Sequence, residues 1–337
     1  MAQIRFCSSL ALEAICFLEK IHFTKREWMN KPQIEAIERF RERLPSDFGE
    51  DYIGMSTLSL ALSAFTENEL EDLSLDGLIR IFENPNQLDE TVRARIKNEF
   101  QISFIYPLLD IFKNKYAAEY VKMLSTMQKC GFEEFYETDI MPLVKAEIQK
   151  NYDELKGRNT EQLLSDISAL KCGISIPSPK IFVSFFSAPT AFSLYNGSFL
   201  TCFMRKGYNF LTLIAHELMH GFASDEVTDM YQKYVASDEY LSEMHRRLIE
   251  DFHSGDEEEF VMAAEYYLCL RAGIASFEQC MDMAKKRHDG ACPVSVLLFK
   301  LLSEEAEIPT DYNAWLIDQF KDGKLPQSDI RQFIKSL

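Results

Sequence analysis

Asn209-Phe210-Leu211-Thr212-Leu213-Ile214-Ala215-His216-Glu217-Leu218-Met219-His220-Gly221-Phe222 places apolar residues at helical spacing around two histidines four positions apart. Residues four apart on a helix lie one above the other, so His216 and His220 are expected to direct ring nitrogens at one ion about 2.0–2.1 Å away. Glu217 projects from an adjacent position, where it reaches a water held by that ion without itself ligating. Zinc in this place lowers the pKa of the water towards about 7, and Glu217 is expected to take its proton as it attacks a carbonyl. A bare HExxH arises by chance in roughly one chain in a hundred of this length. Here Ile214, Leu218, Met219 and Phe222 give it an apolar, proline-free setting, and two of only six histidines fall at this spacing.

A catalytic zinc ion takes three protein ligands and leaves the fourth position open. Position 226 is Glu, so the short-spaced third histidine of the HExxHxxGxxH pattern is absent, and a carboxylate on a following helix is expected instead. That helix begins Asp256-Glu257-Glu258-Glu259-Phe260-Val261-Met262-Ala263-Ala264-Glu265. Its acidic first turn suits the helix dipole whatever else it does. Glu259 is the favoured ligand, because Met262 and the small Ala263 one turn on let the two helices approach closely. Glu265 competes, since a carboxylate inside an apolar stretch needs a partner, either as ligand or as a group orienting a histidine. Glu258 is the remaining choice. Oxyanion-stabilising candidates are His253, Tyr266, Tyr267 and the Arg287-His288 pair, with Tyr240 and His245 weaker.

At these residues the chain resembles the gluzincin division of zinc metallopeptidases, in which HExxH is followed by a glutamate on a later helix. More narrowly, His216-Glu-Leu-Met-His-Gly-Phe-Ala-Ser-Asp225 together with Glu259-Phe-Val-Met-Ala-Ala264 is similar to an uncharacterised bacterial family of zincin-type peptidases with HEFxHxFVNP-like and NEYLVRA-like segments. The resemblance covers residues 190 to 305. It implies a zincin core with the active site between two helices, and it supports Glu259, because the family's glutamate precedes an aromatic and an apolar run. The 39 residues from His220 to Glu259 are nearer the spacing of lethal-factor-like peptidases than of thermolysin-like ones. Ser224-Asp225 stands in place of the family's Asn-Pro, and Ala263 in place of its arginine.

Upstream of the motif the texture is that of strands. Ile174-Ser-Ile176 and Ile181 to Phe186 are β-branched and aromatic, and Ala191 to Tyr195 and Ser198 to Phe203 flank Asn196-Gly197, a strong hairpin signal. A small antiparallel sheet is therefore expected just before the HExxH helix, with Phe199 to Phe203 or Phe182 to Phe186 as an edge on which an extended peptide could add, or as ordinary sheet. Residues 8 to about 170 read as helices, broken near Pro45, Pro85 and Gly157, with Pro32 in a first helical turn. The class expected is α+β and predominantly helical: an all-α region over 1–165 and a zincin-like metallopeptidase domain over 166–337.

Composition narrows the partners. The 337 residues carry a formal charge of −17, which repels a phosphate backbone, so nucleic acid is not expected. Glu13 and Glu19 interrupt the apolar run near the N-terminus, which reads as an amphipathic first helix and not as a signal peptide, and no stretch is long enough to span a bilayer. Eight scattered cysteines favour a reducing, cytoplasmic setting. The function expected is zinc-dependent hydrolysis of a peptide or protein substrate. A silent zincin-fold binding protein and a hydrolase of a non-peptide amide or ester are the alternatives.

Overall fold

The computed structural model describes residues 4–21, 29–49, 67–95, 99–176, 178–187, 191–193, 198–202, 210–252, 254–321, 323–326 and 328–337. Helix accounts for 72% of the structure, so the class is predominantly helical with a small sheet. The chain divides into two compact units, the first formed by residues 3–156 with 178–207 and the second by residues 1–2 with 157–177 and 208–337. This is not the single cut between 165 and 166 that the change of texture suggested. The strands group with the N-terminal helices, because a strand at the start of the chain pairs with them.

In the first unit, β1 (Arg5–Cys7) leads into α1 (Leu10–Ile21) and α2 (Lys31–Arg41). After them come α3 (Glu67–Glu71), α4 (Leu75–Glu83), α5 (Pro85–Arg95), α6 (Glu99–Ile111), α7 (Ala117–Lys129), α8 (Phe132–Phe135) and α9 (Met141–Leu155). The unit is completed by β2 (Lys180–Ser184), β3 (Ala191–Ser193) and β4 (Ser198–Cys202). The sheet order is β1-β2-β4-β3. It is not the antiparallel sheet expected: β1 with β2 and β2 with β4 run parallel, and only β3 with β4 is antiparallel. Parallel pairing explains why Ile181 to Val183 form an unbroken apolar run, since both faces of such a strand are covered. The Asn196-Gly197 turn and Phe203 lie outside the described residues.

The first helix is buried on nearly every face from Ala11 to Leu18, beyond what an amphipathic surface helix requires. Phe17 packs edge-on against Phe40 and Phe186 at ring distances of 5.4 and 5.2 Å. The one carboxylate in this helix's apolar stretch, Glu13, accepts hydrogen bonds from the backbone N–H of Phe185 (2.6 Å) and Phe186 (3.1 Å) and from the Ser184 hydroxyl (2.9 Å). Among the described residues no helix is long and apolar enough to cross a membrane.

The second unit is all helix among its described residues. Its elements are α10 (Thr160–Leu170), α11 (Phe210–Met219), α12 (Asp225–Ala236), α13 (Glu239–Glu250) and α14 (Glu257–Arg271). They continue as α15 (Phe277–Lys286), a 3₁₀ turn over Arg287–Gly290, α16 (Pro293–Glu304), α17 (Tyr312–Lys321) and α18 (Ile330–Ser336). Every residue of α14 from Glu259 to Cys269 is buried, because α10, α11, α15 and α16 all pack on it. The helix stops at Gly273, whose φ of 66° lets Ile274 N–H reach Cys269 O (2.9 Å) and Gly273 N–H reach Leu270 O (3.1 Å). A central helix buried all round that nevertheless carries four glutamates must find partners for each of them.

Candidate metal centre

Two helices of the second unit build the site. Helix α11 ends at Met219, so His216 lies within its last turn and His220 just past it, before Gly221 turns the chain with φ 73°. The four-residue offset still brings the two imidazoles together, edge to face, with ring centroids 4.9 Å apart and Nε2 atoms 3.3 Å apart. Glu258 of α14 faces them: its Oε1 is 3.5 Å from His216 Nε2 and its Oε2 is 3.9 Å from His220 Nε2. Ligand atoms of His216, His220 and Glu258 all fall within 4.8 Å of one another.

The neighbouring glutamates fix the rings. His216 Nδ1 is 2.9 Å from Glu265 Oε2, and His220 Nδ1 is 3.4 Å from Glu257 Oε2. A carboxylate at Nδ1 keeps the proton on that nitrogen and leaves the Nε2 lone pair for a metal. Glu257 also accepts from the N–H groups of Gly221 (3.1 Å), Phe222 (2.9 Å) and Ala223 (3.1 Å), so one carboxylate clamps the whole turn that carries His220. Half-buried Lys171 completes the clamp by donating to the carbonyls of Leu218 (2.9 Å) and His220 (3.1 Å). Asn313 holds the next step, donating to Phe222 O and accepting from Ser224 N–H. Ser224 then caps α12 through Val227 N–H. The Ser-Asp pair at 224–225 is thus an ordinary helix start, with Asp225 in the favourable first turn.

Glu259, the glutamate favoured from the sequence, is not in this cluster. It is turned by about 100° from Glu258 around the helix and buried on another side. There it accepts from Tyr231 Oη (2.9 Å) and Ser295 N–H (2.8 Å). Tyr231 Oη also meets His245 Nδ1 (3.0 Å), and His245 Nε2 lies 3.3 Å from Asp256, so His245 serves this structural network. Glu265 takes the orienting role that was its alternative.

The electrostatics of the site differ from those of ordinary burial. Burial favours the neutral form of Glu258, but the charges of His216 and His220 and the contact with His288 outweigh it and pull its pKa down to about 2. Burial works to lower His216, yet Glu258, Glu265 and Glu217 together raise it to about 10. Two Nε2 lone pairs 3.3 Å apart amid this carboxylate excess call for positive charge between them, from a proton or a metal cation. The donor set fits zinc: bonds of about 2.0–2.1 Å at tetrahedral angles put ligand atoms roughly 3.3 Å apart, against 3.3, 3.5 and 3.9 Å in the structure. Glu217 is 6% exposed.

Of the oxyanion candidates, His253 lies outside the described residues. Tyr266 and Tyr267 are buried in the packing, the first against Phe299 and the second beneath Arg271. The hydroxyls of both are buried with no hydrogen-bond partner among the described residues, and His288 differs from them in its measured approach to Glu258. Its Nε2 is buried, has no hydrogen-bond partner among the described residues, and lies 3.8 Å from Glu258 Oε1. The ring rests on Phe252 at 4.7 Å, and the backbone is left-handed at His288 (φ 48°) and Asp289 (φ 51°), conformations that cost non-glycine residues roughly 1–2 kcal/mol each.

Helix periodicity held the signal for Glu258. It stands seven residues before Glu265, two turns away on the same face, so a helix that turns Glu265 towards His216 also brings Glu258 to the histidines. Nothing in the sequence pointed to Lys171, 45 residues before the motif. Compared with protein-family models, with curated proteins and with solved structures, the chain matches none, so its chemistry is read from the geometry of this cluster.

Proposed function

We propose that the chain is a zinc-dependent metallopeptidase in which His216, His220 and Glu258 hold the ion. The observation that carries the reading is the paired arrangement of imidazoles: each Nδ1 faces its own carboxylate while both Nε2 atoms and Glu258 converge. A bound zinc ion supplies an acidified water and a Lewis acid for the substrate carbonyl. Glu217 takes the proton from the attacking water on its carboxylate and passes it to the leaving amide nitrogen. Glu265 and Glu257 keep both histidines in the ligating tautomer through the reaction. His288 Nε2 donates to the oxygen on which negative charge develops. A zincin-like arrangement of the second unit and a cytoplasmic setting belong to the same proposal, the latter supported by seven described cysteines that are all free thiols.

The test pairs metal analysis with turnover. The purified protein should hold about one zinc per chain and cleave members of a broad peptide library. Glu217→Gln should keep the zinc and lower kcat/KM by about 10²–10⁴-fold, the usual contribution of a positioned acid–base group. A zinc-loaded protein that cleaves no peptide, or a Glu217→Gln variant as active as the parent, contradicts the reading.

A further inference from the structure

The turn that carries His220 lacks the hydrogen bonds a continuing helix would give it. Prolonging the ladder of α11 would send the N–H of Phe222 to Leu218 O and that of Ser224 to His220 O. Both donors go elsewhere: Phe222 N–H to Glu257 (2.9 Å) and Ser224 N–H to Asn313 Oδ1 (2.9 Å). The two carbonyls that lose them are the two that the Lys171 ammonium takes, at 2.9 and 3.1 Å. One of these carbonyls belongs to His220 itself.

Lys171 closes α10, where its charge would suit that helix's own dipole. Its side chain crosses to the end of α11 and is half-buried there, where a lysine that only decorates a surface keeps its ammonium in water. Holding α10 in place does not require this, because Asp166 of the same helix already pairs with Arg271 of α14 at 2.8 Å. The two histidines also differ in what they need. His216 lies within α11, whose ladder fixes its backbone, whereas His220 stands past the last helical residue. Its ring is met by Glu257 at Nδ1 and its carbonyl by Lys171.

We infer that Lys171 is a positioning residue of the metal centre: it holds the backbone of His220 where the ring's Nε2 meets His216 and Glu258, and so sets the affinity for zinc. The inference rests on the zinc site of the preceding reading and not on a peptide substrate. Position and charge act here with opposite sign. A lysine beside the site repels a cation, so removing its charge alone would tighten zinc binding. Loss of the position of His220 loosens it, by about 10–100-fold for a group that orients a metal ligand.

The test is a chelator competition for zinc on the full-length protein and three variants, with the visible spectrum of each cobalt(II)-loaded protein as a report on ligand geometry. Lys171→Met should bind zinc about 10–100-fold more weakly than the parent and alter the cobalt spectrum. Lys171→Arg, which keeps a cationic donor, should restore most of the affinity and the parent spectrum. Arg271→Met breaks the other tie of α10, so it should lower the melting temperature while zinc affinity and spectrum stay as in the parent. If Lys171→Met does not fold, Lys171→Gln, too short to reach both carbonyls, carries the same expectation. Zinc affinity unchanged or tighter without the lysine overturns the inference, as does an equal loss of affinity in Arg271→Met. A parent protein that holds zinc and cleaves no peptide, while Lys171→Met loses the metal, defeats the peptidase reading and leaves this inference standing. Peptide cleavage by a Lys171→Met protein that holds zinc like the parent does the reverse.

Discussion

Glu13 in the first unit is fully buried and Glu258 in the second nearly so, yet their surroundings move their pKa values in opposite directions. Burial pushes Glu13 up to about 7, because its partners, two backbone N–H groups and a serine hydroxyl, are neutral and only partly offset the lost hydration. The same burial acts on Glu258, but imidazoles face it and its pKa falls to about 2. A buried acid surrounded by neutral donors ties segments together, here α1 to the end of β2. One aimed at two histidines, with further carboxylates behind those histidines, forms a site that keeps its charge and gains from a cation. Glu259 repeats the lesson one residue away: held by Tyr231 and Ser295, it too is raised to about 7 by burial and does structural work.

The largest effect expected from this contrast is on stability against pH. The folded-state pKa of Glu13 lies above its unfolded value of about 4.5, so its neutral form is favoured in the fold. That contribution is complete below pH 4.5 and is lost as pH rises through 7. A shift of this size amounts to about 3 kcal/mol. Denaturant unfolding of Glu13→Gln should lack this loss between pH 4.5 and 7.5, whatever constant offset the substitution brings. A variant that keeps the parent's pH slope would show that Glu13 ionises freely in the fold. Smaller in scale, Glu265→Gln removes the charge that orients His216 and should weaken zinc binding by about 10–100-fold in a chelator competition, with the protein still folded. Unchanged affinity would break the claimed division between the two kinds of carboxylate. Smallest of all, Tyr231→Phe takes a donor from Glu259 and should cost about 1 kcal/mol of stability. Its zinc content should not change, and loss of metal there would place Glu259 back in the coordination sphere.

The four-residue spacing of His216 and His220, the apolar setting of their helix and the need for a carboxylate on the helix that begins near Asp256 were all legible in the sequence. They depend on local periodicity, which a chain displays openly. Among Glu257, Glu258 and Glu259 the choice was not legible from small neighbours such as Ala263, because α14 is buried on every side and gives no amphipathic face to read. The sheet was misread for a different reason. Its parallel character comes from pairing of Arg5 to Cys7 with Lys180 to Phe182, more than 170 residues away, and no local pattern announces such a partner. The hairpin pair β3 with β4, whose strands are neighbours in the chain, was the part of the sheet that the sequence displayed.

The most direct measurement is the zinc content of two adjacent variants, Glu258→Gln and Glu259→Gln, purified alongside the parent and dialysed against the same weak chelator. Glu259→Gln should retain about one zinc per chain like the parent, and Glu258→Gln should retain little or none. The opposite pattern, metal lost with Glu259 and kept without Glu258, would contradict the assignment of Glu258 as the residue that joins His216 and His220.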